Sequence, residues 1–295
     1  MTRADPRDPT VIFLHIGKTA GSTMRRILRR QFTKGQVLDL TQKIPDPTYR
    51  LRREGMPDLF AAMPETERAR PRLIMAHTIY GLHEHVPRPS TYVTLLRDPV
   101  KLVISLYGFI LRRPGHRIFD EVAGAELSLE EFVRSGVSLE ADNSQVRALA
   151  GDRTAGFGEV DDAMLEQAKA HIEERVRWLG FVERFDDGLV ALQRTFGWTN
   201  TYYIPVNVAA SRSRTPPDPA VLEAIREQNR YDIELYRWAN ERMDRLIAED
   251  PGFEAARERF LRLNRLYRAW GHLSYTLPRK VHDRVVGPKA STAST

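Results

Sequence analysis

Cysteine is missing from this 295-residue chain altogether. Its absence excludes a disulfide framework, a thiolate nucleophile and a thiolate metal site, and it suits a reducing compartment. Long apolar runs are missing too. No segment approaches the roughly 20 apolar residues of a membrane span, and the opening MTRADPRDPT has no apolar signal-peptide core. A cytoplasmic protein with no transmembrane segment is expected. No set of His, Asp and Glu has secure metal-ligand spacing. Internal repeats and clear linkers are also lacking. The expected organisation is a flexible N-terminus over 1–9, one domain over 10–286 and a disordered tail over 287–295.

Hydrophobic residues make up 42% and charged residues 28%, a balance that supports an ordinary packed core. The net charge of +6 invites an anionic partner. Nucleic acid is not expected, because the arginines are spread along the chain and form no arm or stripe with interleaved aromatics. Phe253, Ala256, Phe260, Leu263 and Tyr267 recur at helical spacing, and the other side of that helix carries five arginines. Docking on the body of the protein is the favoured reading for it, with peripheral membrane contact as the alternative.

The most informative stretch runs from Thr10 to Phe32. Val11 to Ile16 is a short apolar run rich in β-branched residues, which predicts a buried strand. Gly17, Lys18, Thr19, Ala20, Gly21, Ser22 and Thr23 follow, small residues around one cation. Met24, Ile27 and Leu28 then fall at helical spacing, with Ser22 or Thr23 available as N-cap. A strand, tight loop and helix in this order aim backbone N–H groups and the positive end of a helix dipole at one point, a seat for phosphate or sulfate. The nucleotide-binding pattern G-x-x-x-x-G-K-[ST] places its lysine at the end of the loop. Here Lys18 comes at the beginning.

From Asp39 to Arg72 five prolines break the chain, leaving room for short helices such as Asp58 to Met63. Leu73 to Ala76 predicts a second strand ending at His77. Tyr92 to Leu96 predicts a third, followed by Arg97 and by a helix that Asp98 caps and Pro99 opens. Ligands of open α/β sheets bind outside the carboxyl ends of the strands, so Lys18 and Arg97 are expected on one sheet edge. Further helices are expected over Leu129 to Ser135, Asn143 to Ala150, Val160 to Val176, Phe185 to Phe196, Val221 to Glu249 with a joint near Asn229, and Phe253 to Trp270. Trp178 to Val182 and Thr201 to Val206 read as strands.

The segments HIGKTAGST and, about 75 residues later, LLRDPVKLVISLY resemble the two cofactor motifs of sulfotransferases that use 3′-phosphoadenosine-5′-phosphosulfate (PAPS). The similarity is to the carbohydrate branch, and most closely to heparan sulfate 6-O-sulfotransferases. GLH at 81–83, DNSQVRALA at 142–150, LEQAKAHI at 165–172, LGFVERF at 179–185, RTF at 194–196 and EQNRYDIELYRWA at 227–239 continue it in order. The resemblance implies a P-loop-like parallel sheet flanked by helices, an α/β fold in a single sulfotransferase domain with C-terminal helices. It also implies transfer of a sulfuryl group from PAPS to a hydroxyl of a carbohydrate, glycolipid or small metabolite, leaving 3′-phosphoadenosine-5′-phosphate (PAP), with no metal.

Residue by residue, Lys18, Thr19, Ala20, Gly21, Ser22 and Thr23 match the loop that holds the 5′-phosphosulfate. Arg97 and Ser105 match the pair that binds the 3′-phosphate, a task suited to the planar fork of arginine. Lys18 would stabilise the charge that grows on the departing oxygen. His83, in GLH, matches the catalytic histidine of 6-O-type enzymes, and His77 matches the position used in 2-O-type enzymes; because the opening loop is also of 6-O type, His83 is the expected general base, with His77 as the alternative. Asn143, Gln145 and Arg147 match a helix facing the active site, implying acceptor or cofactor contact. Asn207, Ser211 and Arg212 resemble a late loop that closes over the cofactor, with two extra residues before Ser211. The competing class is a nucleotide-dependent kinase or NTPase, which would need a magnesium-holding carboxylate; Asp98 is the one at hand. The acceptor and the oligomeric state are not legible.

Overall fold

A computed structural model describes residues 9–43, 54–205 and 217–271. Its centre is a five-stranded parallel sheet in the order β2-β3-β1-β4-β5. The strands are β1 Thr10–Leu14, β2 Val37–Asp39, β3 Leu73–Ala76, β4 Ser90–Leu96 and β5 Val176–Phe181. Helices follow as α1 Gly21–Arg29, α2 Leu40–Lys43, α3 Met56–Ala61, α4 Glu65–Arg68, α5 Pro99–Leu111, α6 Leu129–Arg134, α7 Ser144–Ala150, α8 Asp162–Arg175, α9 Phe185–Phe196, α10 Pro219–Gln228, α11 Arg230–Ala248 and α12 Phe253–Gly271.

The sheet is covered on both faces, and the alternation of side chains sorts the core accordingly. Ile12, Leu14, Ile74, Tyr92 and Leu96 pack with Leu149 of α7, Ile172 of α8 and Leu235 of α11. Val11, Phe13, Met75, Val93 and Leu95 turn the other way onto Met24, Ile27 and Leu28 of α1, Leu189 of α9 and Phe260 of α12. Burial of each large side chain contributes about 1.5–3 kcal/mol, which is why the short strands hold. Beyond the sheet, Val103, Leu106 and Ile110 of α5 meet Phe132 of α6 and Ile225 of α10. Helix α12 thus docks through its apolar stripe. Among the described residues no helix is long and apolar enough to cross a membrane.

Most expected elements are present, and the differences have local causes. Helix α1 begins at Gly21, capped by Ala20 in the left-handed region, two or three residues before the expected caps Ser22 or Thr23. β2 was not legible because three residues carry no alternation; its pairing of Val37 with Leu73 makes it a strand. Thr201 to Pro205 is irregular chain. There the Tyr203 amide donates to Asn264 Oδ1 of α12 at 2.9 Å, so its hydrogen bond goes to a side chain and not to a ladder. Asn207, Ser211, Arg212 and the 287–295 tail lie outside the described residues.

Candidate active site

The loop after β1 carries two non-glycine residues in the left-handed region, Lys18 (φ 63°) and Ala20 (φ 60°). Each such residue costs on the order of 1–3 kcal/mol, and alternating handedness of this kind lines a concavity with backbone N–H groups. The buried Thr19 holds the turn, its hydroxyl donating to Ile16 O at 2.8 Å. The first intrahelical bonds of α1 run from Thr23 and Met24 N to Ala20 O. The amides of Gly21 and Ser22 therefore stand at the positive end of the helix, ahead of its ladder. Glycine is required at 21, since a Cβ there would lie 1.6 Å from His15 Nε2.

Lys18 rests with its ammonium 3.8 Å from the centroid of the Phe109 ring on α5. Burial first, and then Arg97 and Arg112, pull its pKa down to about 8. Arg97, the residue after β4, donates from Nη1 to Lys18 O at 2.8 Å, tying the two expected cofactor groups into one unit. Both stand at the carboxyl edge of the sheet, on the adjacent strands β1 and β4. Ser105 is half-buried and four residues before Phe109, so it shares the helix face turned to Lys18. Asp98 caps α5 as expected, accepting from Lys101 N at 2.9 Å. That carboxylate, the one a kinase reading would need for magnesium, is occupied by the cap.

Gln145 is fully buried behind Arg97. Its side chain clamps the arginine backbone from both sides, accepting from Arg97 N and donating to Arg97 O, each at 2.9 Å. Asp232 of α11 in turn accepts from Gln145 N and Val146 N at the start of α7. Asn143 returns the favour, its Oδ1 accepting from Tyr231 N and Asp232 N at 3.0 Å. Arg147 is buried as well, bonded to Asp142 Oδ2 at 2.5 Å and to the carbonyls of Ala155 and Gly156. Asn143, Gln145 and Arg147, expected to meet acceptor or cofactor, thus have their polar side chains engaged inside the protein: Asn143 joins α7 to α11, Gln145 holds the Arg97 backbone, and Arg147 ties Asp142 to the loop after α7.

The histidines separate clearly. His77 follows the last residue of β3, and its ring lies 3.9 Å from that of His15, which follows β1. Burial above all, then His77, Arg25 and Lys18, holds His15 well below the ordinary imidazole pKa, so it is neutral. Both rings line a cleft of about 300 Å³ with Ser22, Arg25, Arg26 and Arg29 of α1. His83 is elsewhere. Its Nδ1 lies 3.1 Å from Tyr92 Oη, which also accepts from Gly81 N and His83 N, so the tyrosine proton points to the imidazole. Tyr92 pairs with Val176 at the start of β5, four residues before the carboxyl end of β4, a separation of roughly 13 Å along the strand. Burial and then Arg175, which precedes β5, lower the His83 pKa. The crossover from β3 to β4 carries His83, the expected choice, back down the sheet face, while His77 stays beside the Lys18 loop.

Residues that sequence reasoning missed are Phe109, Asp232 and the arginines of α1. Only the last had a visible signal, the spacing of Ser22, Arg25, Arg26 and Arg29 on one helix face.

The Galactose-3-O-sulfotransferase family model matches residues 1–269. Galactose-3-O-sulfotransferase 3 of Bos taurus is 30% identical over 281 residues, covering 87% of this chain and 64% of that protein. The protein of the same name from Homo sapiens is 30% identical over 281 residues, covering 87% and 63%. That from Mus musculus is 28% identical over 275 residues, covering 85% and 62%. The chain thus spans a little under two thirds of the length of these relatives.

Proposed function

The chain belongs to the galactose-3-O-sulfotransferase family, and from that premise we propose that it transfers a sulfuryl group from PAPS to a hydroxyl of a galactose-bearing saccharide. The family sits in the carbohydrate branch that the motifs indicated, and the heparan sulfate 6-O comparison is an approximation to it. The observation that carries the reading is the Lys18 loop tied to Arg97: a strained, amide-lined turn at a helix N-terminus, with one half-buried cation in it and a second bonded to its backbone.

These residues fit PAPS. When bound, PAPS supplies the sulfuryl group on an activated phosphosulfate. The loop amides from Lys18 to Thr23 and the Lys18 ammonium would hold that end, and the ammonium offsets the charge developing on the bridge oxygen; loss of one such group typically costs on the order of 2.7–4 kcal/mol. Arg97 and Ser105, on the β4 side, would hold the 3′-phosphate. His77 would take the acceptor proton as the new O–S bond forms and the bridge S–O bond breaks, with PAP as the leaving group. His15 packs against it as a neutral ring. Galactose as the acceptor rests on the names of the relatives. Cytoplasmic placement rests on the cysteine-free composition, and fractionation of the source cells tests it.

The reading predicts that PAP raises the melting temperature well above the effect of equimolar ADP or AMP. Equal shifts from all three would sink it.

A further inference from the structure

Helix α1 buries Met24, Ile27 and Leu28 against the sheet and turns Ser22, Arg25, Arg26 and Arg29 the other way. These four fall at i, i+3, i+4 and i+7, one continuous stripe roughly 10 Å long from the reaction centre outward. The stripe forms one wall of the cleft that His77 lines.

The arginines are not equivalent. Arg25 and Arg29 share Asp39 Oδ2 of β2, and Arg25 also donates to Thr41 Oγ1 at 2.9 Å. Arg25 is thereby fixed as a wall, and Arg29 is half exposed beside a shared carboxylate. Arg26 is exposed at the mouth of the cleft, and among the described residues no carboxylate pairs with it. Among the described residues one carboxylate serves these three guanidiniums, which leaves the cleft positive.

The donor does not account for this charge. Beyond the loop amides and Lys18, its candidate groups Arg97 and Ser105 lie after β4 and on α5, whereas Asp39 places the arginines over the β3–β2 side of the loop. A neutral sugar would gain little from guanidiniums beside the base, while a carboxylate or sulfate meets their planar fork with paired charge-assisted bonds.

Resting on the sulfotransferase reading, we propose that the acceptor is an acidic saccharide, and that Arg26, supported by Arg29, recognises an anionic group on the sugar next to the accepting one. Calorimetric titration of the PAP-saturated protein with lactose, a sulfated lactose and a glucuronate-bearing galactoside tests this. At least one acidic probe is expected to bind about tenfold more tightly than lactose. The arm that gains identifies the anion as sulfate or carboxylate. In Arg26→Gln the preference collapses with PAP and lactose affinity unchanged, and in Arg26→Lys part of it remains. Equal binding of neutral and acidic probes, no binding of either acidic probe, or a preference that survives Arg26→Gln would overturn the proposal. Failure of PAP itself to bind would instead overturn the sulfotransferase reading.

Discussion

Replacing Gln145 with alanine tests whether the Arg97 guanidinium is held in place by the buried amide behind it. Gln145 makes two bonds of 2.9 Å to the Arg97 backbone. Each nets about 0.5–1.5 kcal/mol, and truncation also strands one donor and one acceptor of Arg97. Arg97 is half-buried, so water partly replaces the lost partner; the stability loss should be about 2–3 kcal/mol. The effect on ligand is separable. A guanidinium–phosphate hydrogen bond is worth about 1.5–3 kcal/mol, and losing roughly half of it through misplacement weakens PAP about four- to tenfold. AMP, which lacks the 3′-phosphate, should bind as before. Urea unfolding and calorimetry with both nucleotides read the two effects. In an Arg97→Ala background, Gln145→Ala should add little to the loss of PAP affinity, because the clamp then has no guanidinium to aim. Unchanged PAP affinity in a destabilised variant, or equal losses for PAP and AMP, would refute the reasoning.

Two other outcomes are expected. Lys18 is depressed from 10.5 to about 8 by burial first, then by Arg97 and Arg112, so between about pH 8 and 10.5 the unfolded chain binds more protons and stability of the free protein rises with pH through that window. PAP favours the ammonium, so its stabilising shift in melting temperature should shrink above pH 8, and a shift that stays constant to pH 10, or one equally pH-dependent in Lys18→Met, would count against Lys18 as the phosphosulfate cation. His77→Ala should lower kcat by about 10²–10⁴, the usual worth of a general base, while His83→Ala stays within about twofold in kcat and loses stability through the Tyr92 contact; steady-state kinetics showing the reverse would restore His83 as the base.

Much of the architecture was legible because it rests on local signals. Buried parallel strands are short apolar runs, and Leu73–Ala76 and Phe185–Phe196 follow the expected boundaries to the residue. Asp98 and Pro99 announce the start of α5 by capping chemistry alone. The three-residue β2 and the irregular Thr201 to Pro205 were not legible, since each depends on which distant backbone or side chain supplies the hydrogen bond.

The candidate site divides in the same way. Lys18, the small residues after it and Arg97 could be found from order and spacing, because a strand that runs into a tight turn and a helix makes an anion seat within one contiguous stretch. Which histidine stands beside that seat could not, since His77 and His83 are six residues apart and only the path of the crossover decides which stays at the carboxyl edge. Polarity alone did not place Asn143, Gln145 and Arg147 in a buried network, because a polar side chain looks the same in sequence whether it faces a ligand or closes such a network, and burial is settled by helices far away in the chain. The sequence by itself determined the anion-binding loop and its partner arginine, through local backbone chemistry. Only the tertiary structure decided which histidine stands beside that loop, the clamp on Arg97 and the arginine wall of the cleft, because each is a meeting of segments that no spacing along the chain records.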